Sequence, residues 1–404
     1  MGGKMKDSKY QHITDKLNTL IGLAKEKSIT NKEDCFYSYG FLESNGFKIN
    51  PEDKNEFHQI MTDIYDSLTF FNSKVSFRYF KNDIIEIIKD KSHSSSKVEN
   101  DDVLKLVKKY KELPVKDFTV YREIYGLELD QDFTKLGLFT IHNSSTVTTL
   151  LEQKKISLAP ETSCVIEVTV EASEPDKARE DANILFEQFD FVIRYLIGDA
   201  KDLDIGITDF SVNRTFRSFI FCEGLPTKIA DEGKGAIQDM TFSAIEKVTD
   251  PLIMKLFELV GSSKLTDIEK RIILAVKWIA EAYKEHSKES AFLKSVVALE
   301  ILCASDLSGS ISSSIAEITA LLVGDDYDSR LKIKKDIKEL YAKRSGIVHN
   351  GNKKINTKDL NEIWSYLDSL IKKFLIFEEK KTFGTIENIV KEIEKLKYAN
   401  IHFN

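Results

Sequence analysis

The hydrophobic periodicity of this chain changes twice, and those changes limit what it can fold into more than any single motif does. Up to Leu113 the apolar residues recur at helical spacing. From Phe118 they alternate with polar residues as in strands, interrupted by one long helical stretch. Beyond about Asp239 the helical period returns and holds to the end. Helices, then strands and a helix, then helices again define an α+β protein: a mixed N-terminal region followed by an all-α C-terminal bundle. At 404 residues there is chain for two or three domains. The composition and period shifts predict boundaries at 1–116 (mostly helical), 117–235 (α+β) and 236–404 (helical bundle).

In chain order, Tyr10 to Glu26 reads as an amphipathic helix with Ile13, Leu17, Leu20, Ile21 and Ala24 on one face. The block from Asp34 to Phe80 is dense in aromatics, among them Phe36, Tyr37, Tyr39, Phe41, Phe47, Phe57, Tyr65, Phe71 and Phe80, with Lys74, Arg78 and Lys81 near its end. Aromatics between cations can stack bases, but without a base-stacking signature the reading is core packing. Asp83 to Asp90 reads as a short helix, 91–102 as a polar linker, and Asp101 to Leu113 as a helix stopped by Pro114. Strands are predicted around Phe118, over Lys135 to Asn143, at KKISL and over Thr162 to Ser173. A long helix from Pro175 to Gly198 follows, then two strands between Asp204 and Gly224. Arg179, Arg194, Arg214 and Arg217 read as scattered solvated charge rather than a basic face. Leu225 to Ile237 reads as a linker.

The C-terminal region is predicted helical from FSAIEKVTDPLIMKLFELV onward. Thr266 with Glu269 three residues later has the capping-box pattern. Helices follow over Ala291 to Ser305, Ser312 to Gly324, Asp326 to His349, Thr357 to Phe377 and Thr385 to Lys397. Within them lies IKELYAKRSGIVHNG (Ile337 to Gly351), where Leu340, Tyr341, Ile347 and Val348 recur at roughly helical spacing and predict a buried face. Arg344 and His349 are set into it, and Asn350-Gly351 reads as the C-cap. On spacing alone these two polar residues fit a packed histidine and an arginine that carries its head to solvent. Glu300, in the apolar run Ala298 to Leu302, is a carboxylate in need of a cation. Arg344 is the evident partner, either as a structural pair or as part of a site.

The ordered set ALE (Ala298 to Glu300), SSSIAEITALLVG, then LYAKRSGIVH before Gly351 resembles the Apea-like branch of the HEPN superfamily, over about Thr266 to Lys380. Asn350 departs from the His-Gly usual there. The resemblance implies a helical domain with an R-x4-H ribonuclease site: Arg344 and His349 catalytic, with Glu300, Tyr341, Ser345 and Asn350 in support. It implies RNA as substrate, with tRNA among the candidates, 2′,3′-cyclic phosphate products, and a homodimer that brings two motifs into one cleft. It also implies an antiviral-defence or toxin-like role with a regulatory or trigger protein as a further partner. The alternatives are a non-catalytic module binding RNA or nucleotide, and a helical dimerisation domain.

Arg330, Lys332, Lys334, Lys335, Lys338, Lys343 and Arg344 form the densest positive stretch beside this motif. Of these, Lys332, Lys335 and Lys343 are candidates for phosphate contacts, or else for an exposed face balanced by Asp336 and Glu339. With a net charge of −7, any RNA binding has to come from such a local patch. No phosphate loop, dinucleotide fingerprint, zinc-type spacing or nucleophile elbow occurs, so no cofactor or metal is expected. Cys35, Cys164, Cys222 and Cys303 form no framework, which fits a reducing, cytoplasmic setting. No apolar run reaches the roughly 18 residues that span a bilayer. The N-terminal MGGKMKDSKY lacks a signal core.

Overall fold

The computed structural model describes residues 4–26, 38–39, 47–49, 51–67, 69–153, 157–158, 162–199, 206–207, 215–233, 240–262, 264–304, 311–350, 354–380 and 383–398. The chain is α+β, and it divides into two compact units. The first holds 1–119 with 170–181 and 220–228, and the second holds 120–169, 182–219 and 229–404. Outside the described residues lie Cys35, Phe36, Tyr37, Phe41, Lys154 to Ile156, Arg214, Gly351 and His402, together with 234–239 and 305–310. The side chains of Tyr39, Arg217 and Asn350 lie outside them as well.

In the first unit, helices α1 (Lys4–Leu23), α2 (Lys54–Ser67), α3 (Thr69–Lys74), α4 (Phe77–His93) and α5 (Asn100–Glu112) enclose an aromatic core. Strands β1 (Lys25–Glu26), β2 (Ser38–Tyr39) and β3 (Phe47–Lys48) make a small sheet in the order β1-β3-β2. Ile13, Leu17 and Leu20 are fully buried, as their helical spacing predicts. Phe57, Phe71 and Phe80 are buried too, so these aromatics pack against each other. Tyr65 donates from its hydroxyl to the Val75 carbonyl at 2.7 Å, which lets the phenol sit inside. The predicted linker after Asp90 is shorter than expected. Helix α4 runs on to His93, and α5 starts at Asn100 behind a capping box formed by Glu99 and Asp102.

A seven-stranded sheet has the order β11-β10-β4-β8-β7-β6, with β9 paired to β4. Its strands are β4 (Lys116–Tyr125), β6 (Phe133–Leu136), β7 (Phe139–Asn143), β8 (Cys164–Ala172), β9 (Gly206–Ile207), β10 (Thr215–Phe221) and β11 (Lys228–Gly233). A separate pair joins β5 (Leu127–Glu128) to β12 (Met240–Thr241) in parallel. Two expectations are corrected here. The stretch Lys135 to Asn143 is a hairpin, turned at Gly137, and Leu225 to Ile237 contains strand β11 rather than only a linker. Gly137 has φ +59°, and a Cβ there would meet the Phe257 carbonyl oxygen at 2.1 Å, so only glycine fits this turn. Helix α6 (Ser144–Gln153) was not expected from the sequence, and Ser157-Leu158 are not in a strand.

Helix α7 (Pro175–Ile197) closes at Gly198 with φ +83°. In the second unit its Phe186 and Phe189 meet Phe139 of the sheet, and Phe189 also meets Phe257. Arg122 of β4 is 1% exposed yet satisfied: it donates to Ser218 at 2.8 and 3.0 Å and to Asn183, and its guanidinium lies 4.7 Å from the Phe186 ring centre.

The stretch from Phe242 to Leu259 is not one helix but two 3₁₀ turns followed by the single-turn helices α8 (Pro251–Met254) and α9 (Leu256–Leu259). The bundle then consists of α10 (Asp267–Tyr283), α11 (Lys288–Cys303), α12 (Ile311–Val323), α13 (Tyr327–Asn350), α14 (Thr357–Glu379) and α15 (Ile386–Tyr398). Thr266 and Glu269 form the expected capping box on α10, and Ser287 caps α11 by accepting from the Ser290 amide. Tyr195 of α7 donates to Asp368 of α14 at 2.8 Å, and Lys247 reaches the same carboxylate at 3.1 Å, which ties α7 to the bundle. No helix among the described residues is long and apolar enough to cross a membrane.

Candidate active site

Helix α13 starts on a reciprocal cap. The Asp326 carboxylate accepts from the Ser329 amide at 2.8 Å, and the Ser329 hydroxyl accepts from the Asp326 amide at 3.0 Å. Ile333, Ile337 and Leu340 then bury one face of the helix. The helix continues unbroken through Gly346, which is itself buried, so the glycine causes no interruption between the two motif residues. The predicted buried face is corrected beyond Leu340. Tyr341 and Ile347 are half-buried, and Val348 is 51% exposed. Val348 and His349 are both exposed, although Gly346 just before them is buried.

Glu300 faces this helix from α11. It is partly exposed rather than buried, so its desolvation cost is small. One oxygen, Oε1, accepts the Tyr341 hydroxyl hydrogen bond and also lies 4.0 Å from Arg344 Nη2. Burial, followed by the neighbouring Glu300 carboxylate, pushes the Tyr341 phenol well above its ordinary range, so it stays a donor. The Arg344 side chain is 37% exposed, and an ion pair this open contributes only about 0–1 kcal/mol. At 4.0 Å and without a hydrogen bond it is a weak restraint on the guanidinium.

His349 is exposed in the last turn of α13. At about 100° per residue, five positions along a straight helix separate Arg344 and His349 by about 140° around the axis. One helix therefore does not bring the two heads onto one small group. His349 instead shares a face with Ser345, Ala342, Lys338 and Lys335, spaced three or four apart, and all five are exposed. Lys332 extends this row by three residues, and Lys335 lies 3.8 Å from Glu339, with both side chains mostly in solvent. Lys338 joins the row as well, and its three-residue offset from Lys335 is the sequence signal for it.

Lys343 behaves differently. Its ammonium is held by Asp359, whose carboxylate is buried and belongs to the capping box that Asn356 and Asp359 build at the start of α14. Lys343 is thus tied to the α14 N-terminus and does not lie in the exposed row. Asn356 three residues before Asp359 is the sequence signal for that box.

A cavity of about 780 Å³ lies in the same unit, lined by parts of α12 to α15, and its α13 lining stops at Lys334. At a rise of about 1.5 Å per residue, this is roughly 20 Å along the helix from His349, so the cavity and the motif are separate places. Among the described residues no group of three or more His, Cys, Asp and Glu side chains stands together as a metal site. No protein-family model, curated protein or solved structure matches the chain, so the reading of this site rests on its own residues and geometry.

Proposed function

We propose that the chain is a metal-independent endoribonuclease of HEPN type that cuts cellular or phage RNA, tRNA among the candidates, in a defence or toxin-like setting. The observation that carries this reading is the presentation of His349. It stands exposed at the end of an unbroken helix, on a face it shares with Lys335 and Lys338, five residues after an Arg344 that lies 4.0 Å from Glu300. A histidine is the side chain best suited to move a proton near neutral pH, and a guanidinium fork matches phosphate oxygens.

In the proposed reaction a base takes the proton of an RNA 2′-hydroxyl, and the 2′-oxygen attacks the adjacent phosphorus. The phosphorane's negative charge rests against Arg344. The bond to the 5′-oxygen breaks, and an acid returns a proton to that oxygen, leaving a 2′,3′-cyclic phosphate and a 5′-hydroxyl. One His349 supplies one of these roles. The 140° offset within a helix is the reason to assign the other to His349 of a second chain, in a homodimer whose two motifs line one groove.

The Glu300 pair also favours a second reading, in which Arg344 is structural and the bundle is a regulatory or dimerisation module. The two are separated by incubating purified protein with total RNA in excess chelator. Cleavage that persists, yields cyclic-phosphate ends and is lost in His349→Ala supports the nuclease. Cleavage that needs magnesium and leaves 5′-phosphates, or none at all under any condition tested, rejects it.

A further inference from the structure

The cavity of about 780 Å³ among α12, α13, α14 and α15 has the size of a small-molecule site. Its lining is mostly apolar, and two of its large apolar side chains stand unusually open. Tyr327 is 74% and Leu331 50% exposed, one turn apart on the same face of α13. Phe377 of α14 and Phe383 after it also line the cavity, meeting edge to face at 5.0 Å. Folding normally covers such a set unless something else does so.

The charges in the lining are unbalanced in one direction. Its two carboxylates have lysine partners: Glu317 has Lys334 at 3.6 Å, and Glu392 has Lys395 at 3.0 Å. Arg330 and Lys373 also line the cavity, and neither forms an ion pair with a carboxylate among the described residues. Arg330 uses Nε to donate to the Gly324 carbonyl at 3.0 Å, which leaves its terminal nitrogens for another acceptor. Asp326 feels the Arg330 charge, but its carboxylate is engaged by the Ser329 amide.

We infer that this cavity binds a small organic anion with an apolar body, a medium-chain or aryl carboxylate in chemical class. Its body covers Tyr327, Leu331, Phe377 and Phe383, and its acidic group is met by Arg330 and Lys373. The apolar contacts supply most of the affinity through removal of surface from water, and the two cations select for the acid. A neutral molecule of the same body leaves both cations unanswered. The site stands apart from the ribonuclease reading, since it uses none of the motif residues.

The test is a fluorescence titration of the full chain with dansylaminoundecanoic acid, with dansylamide as the neutral control. The expected result is saturable binding of the acid at one site per chain, displaced by dodecanoate, with the amide binding at least about tenfold more weakly. Lys373→Glu and Arg330→Ala, both changes at solvent-accessible positions, each weaken the acid by about tenfold or more. Leu321→Trp, which fills the cavity, abolishes binding while circular dichroism remains that of the unaltered chain. Should Leu321→Trp fail to fold, the two charge variants decide the question alone. Absence of saturation up to about 1 mM acid, equal affinity for acid and amide, or charge variants that bind like the unaltered chain each overturn the inference.

Discussion

Tyr341 and Glu300 join α13 to α11 through a single hydrogen bond, and the carboxylate oxygen that accepts it is the one nearest Arg344. The phenol therefore fixes the carboxylate, and the carboxylate in turn limits where the guanidinium can go. Arg344 thus has a carboxylate of α11 beside it, while His349 is exposed to solvent.

His349→Ala is expected to remove RNA cleavage by at least about a hundredfold, the range for losing a general acid or base. Because the side chain is exposed, the change in stability should stay within about 0.5 kcal/mol. Cleavage assays beside thermal melts check both halves. Activity at the level of the unaltered protein, at equal purity, would mean His349 does not move the proton.

Tyr341→Phe takes away the donor to Glu300 and keeps the ring. A stability loss of about 1 kcal/mol is expected, since the hydrogen bond is only partly shielded. If the phenol positions Arg344 through Glu300, kcat falls while KM for RNA changes little, and Glu300→Gln behaves in the same way. A matched rise in KM with kcat untouched would instead place Arg344 in substrate binding alone.

Mixing inactive His349→Ala chains with unaltered chains tests the shared groove. With one histidine from each protomer required, activity per unaltered chain should fall as the inactive chain is added in excess. Mixed dimers that form and yet retain full activity per unaltered chain would exclude a composite site, as would a fully active monomer.

Acid should weaken the joint between α8 and α14. The Lys372 ammonium hydrogen-bonds the Asp250 carboxylate at 2.8 Å and holds it below the usual carboxylate range, helped by the Leu252 amide. A depressed carboxyl stabilises the fold above its unfolded pKa, about 3.9, and that contribution is lost as pH falls through the lower folded value. Asp250→Asn keeps an N-cap but not the charge. Its melting temperature should lie below that of the unaltered protein at pH 6 and converge with it near pH 3. A constant difference between the two at both pH values would show that the ion pair contributes nothing.

What could be read from the sequence alone is what depends on residues close together in the chain. The Thr266–Glu269 box, the Ser287 cap, the length of α7 up to Gly198 and the Ile13, Leu17 and Leu20 core of α1 all follow from spacings of three or four residues, and they appear in the structure where those spacings put them. The nearness of Glu300 and Arg344 was also legible, because a carboxylate in an apolar helix needs a cation. Tertiary structure decided the remainder. Strand β11 looks like a linker because a six-residue strand acquires its hydrogen bonds from β10 and not from itself. Gly137 turns a hairpin because the Phe257 carbonyl, far away in sequence, leaves no room for a side chain. Lys343 looks like its lysine neighbours until Asp359 arrives from α14 and takes its charge. Val348 has the spacing of a core residue, yet it is 51% exposed, since periodicity states which residues share a face but not whether another element packs against that face.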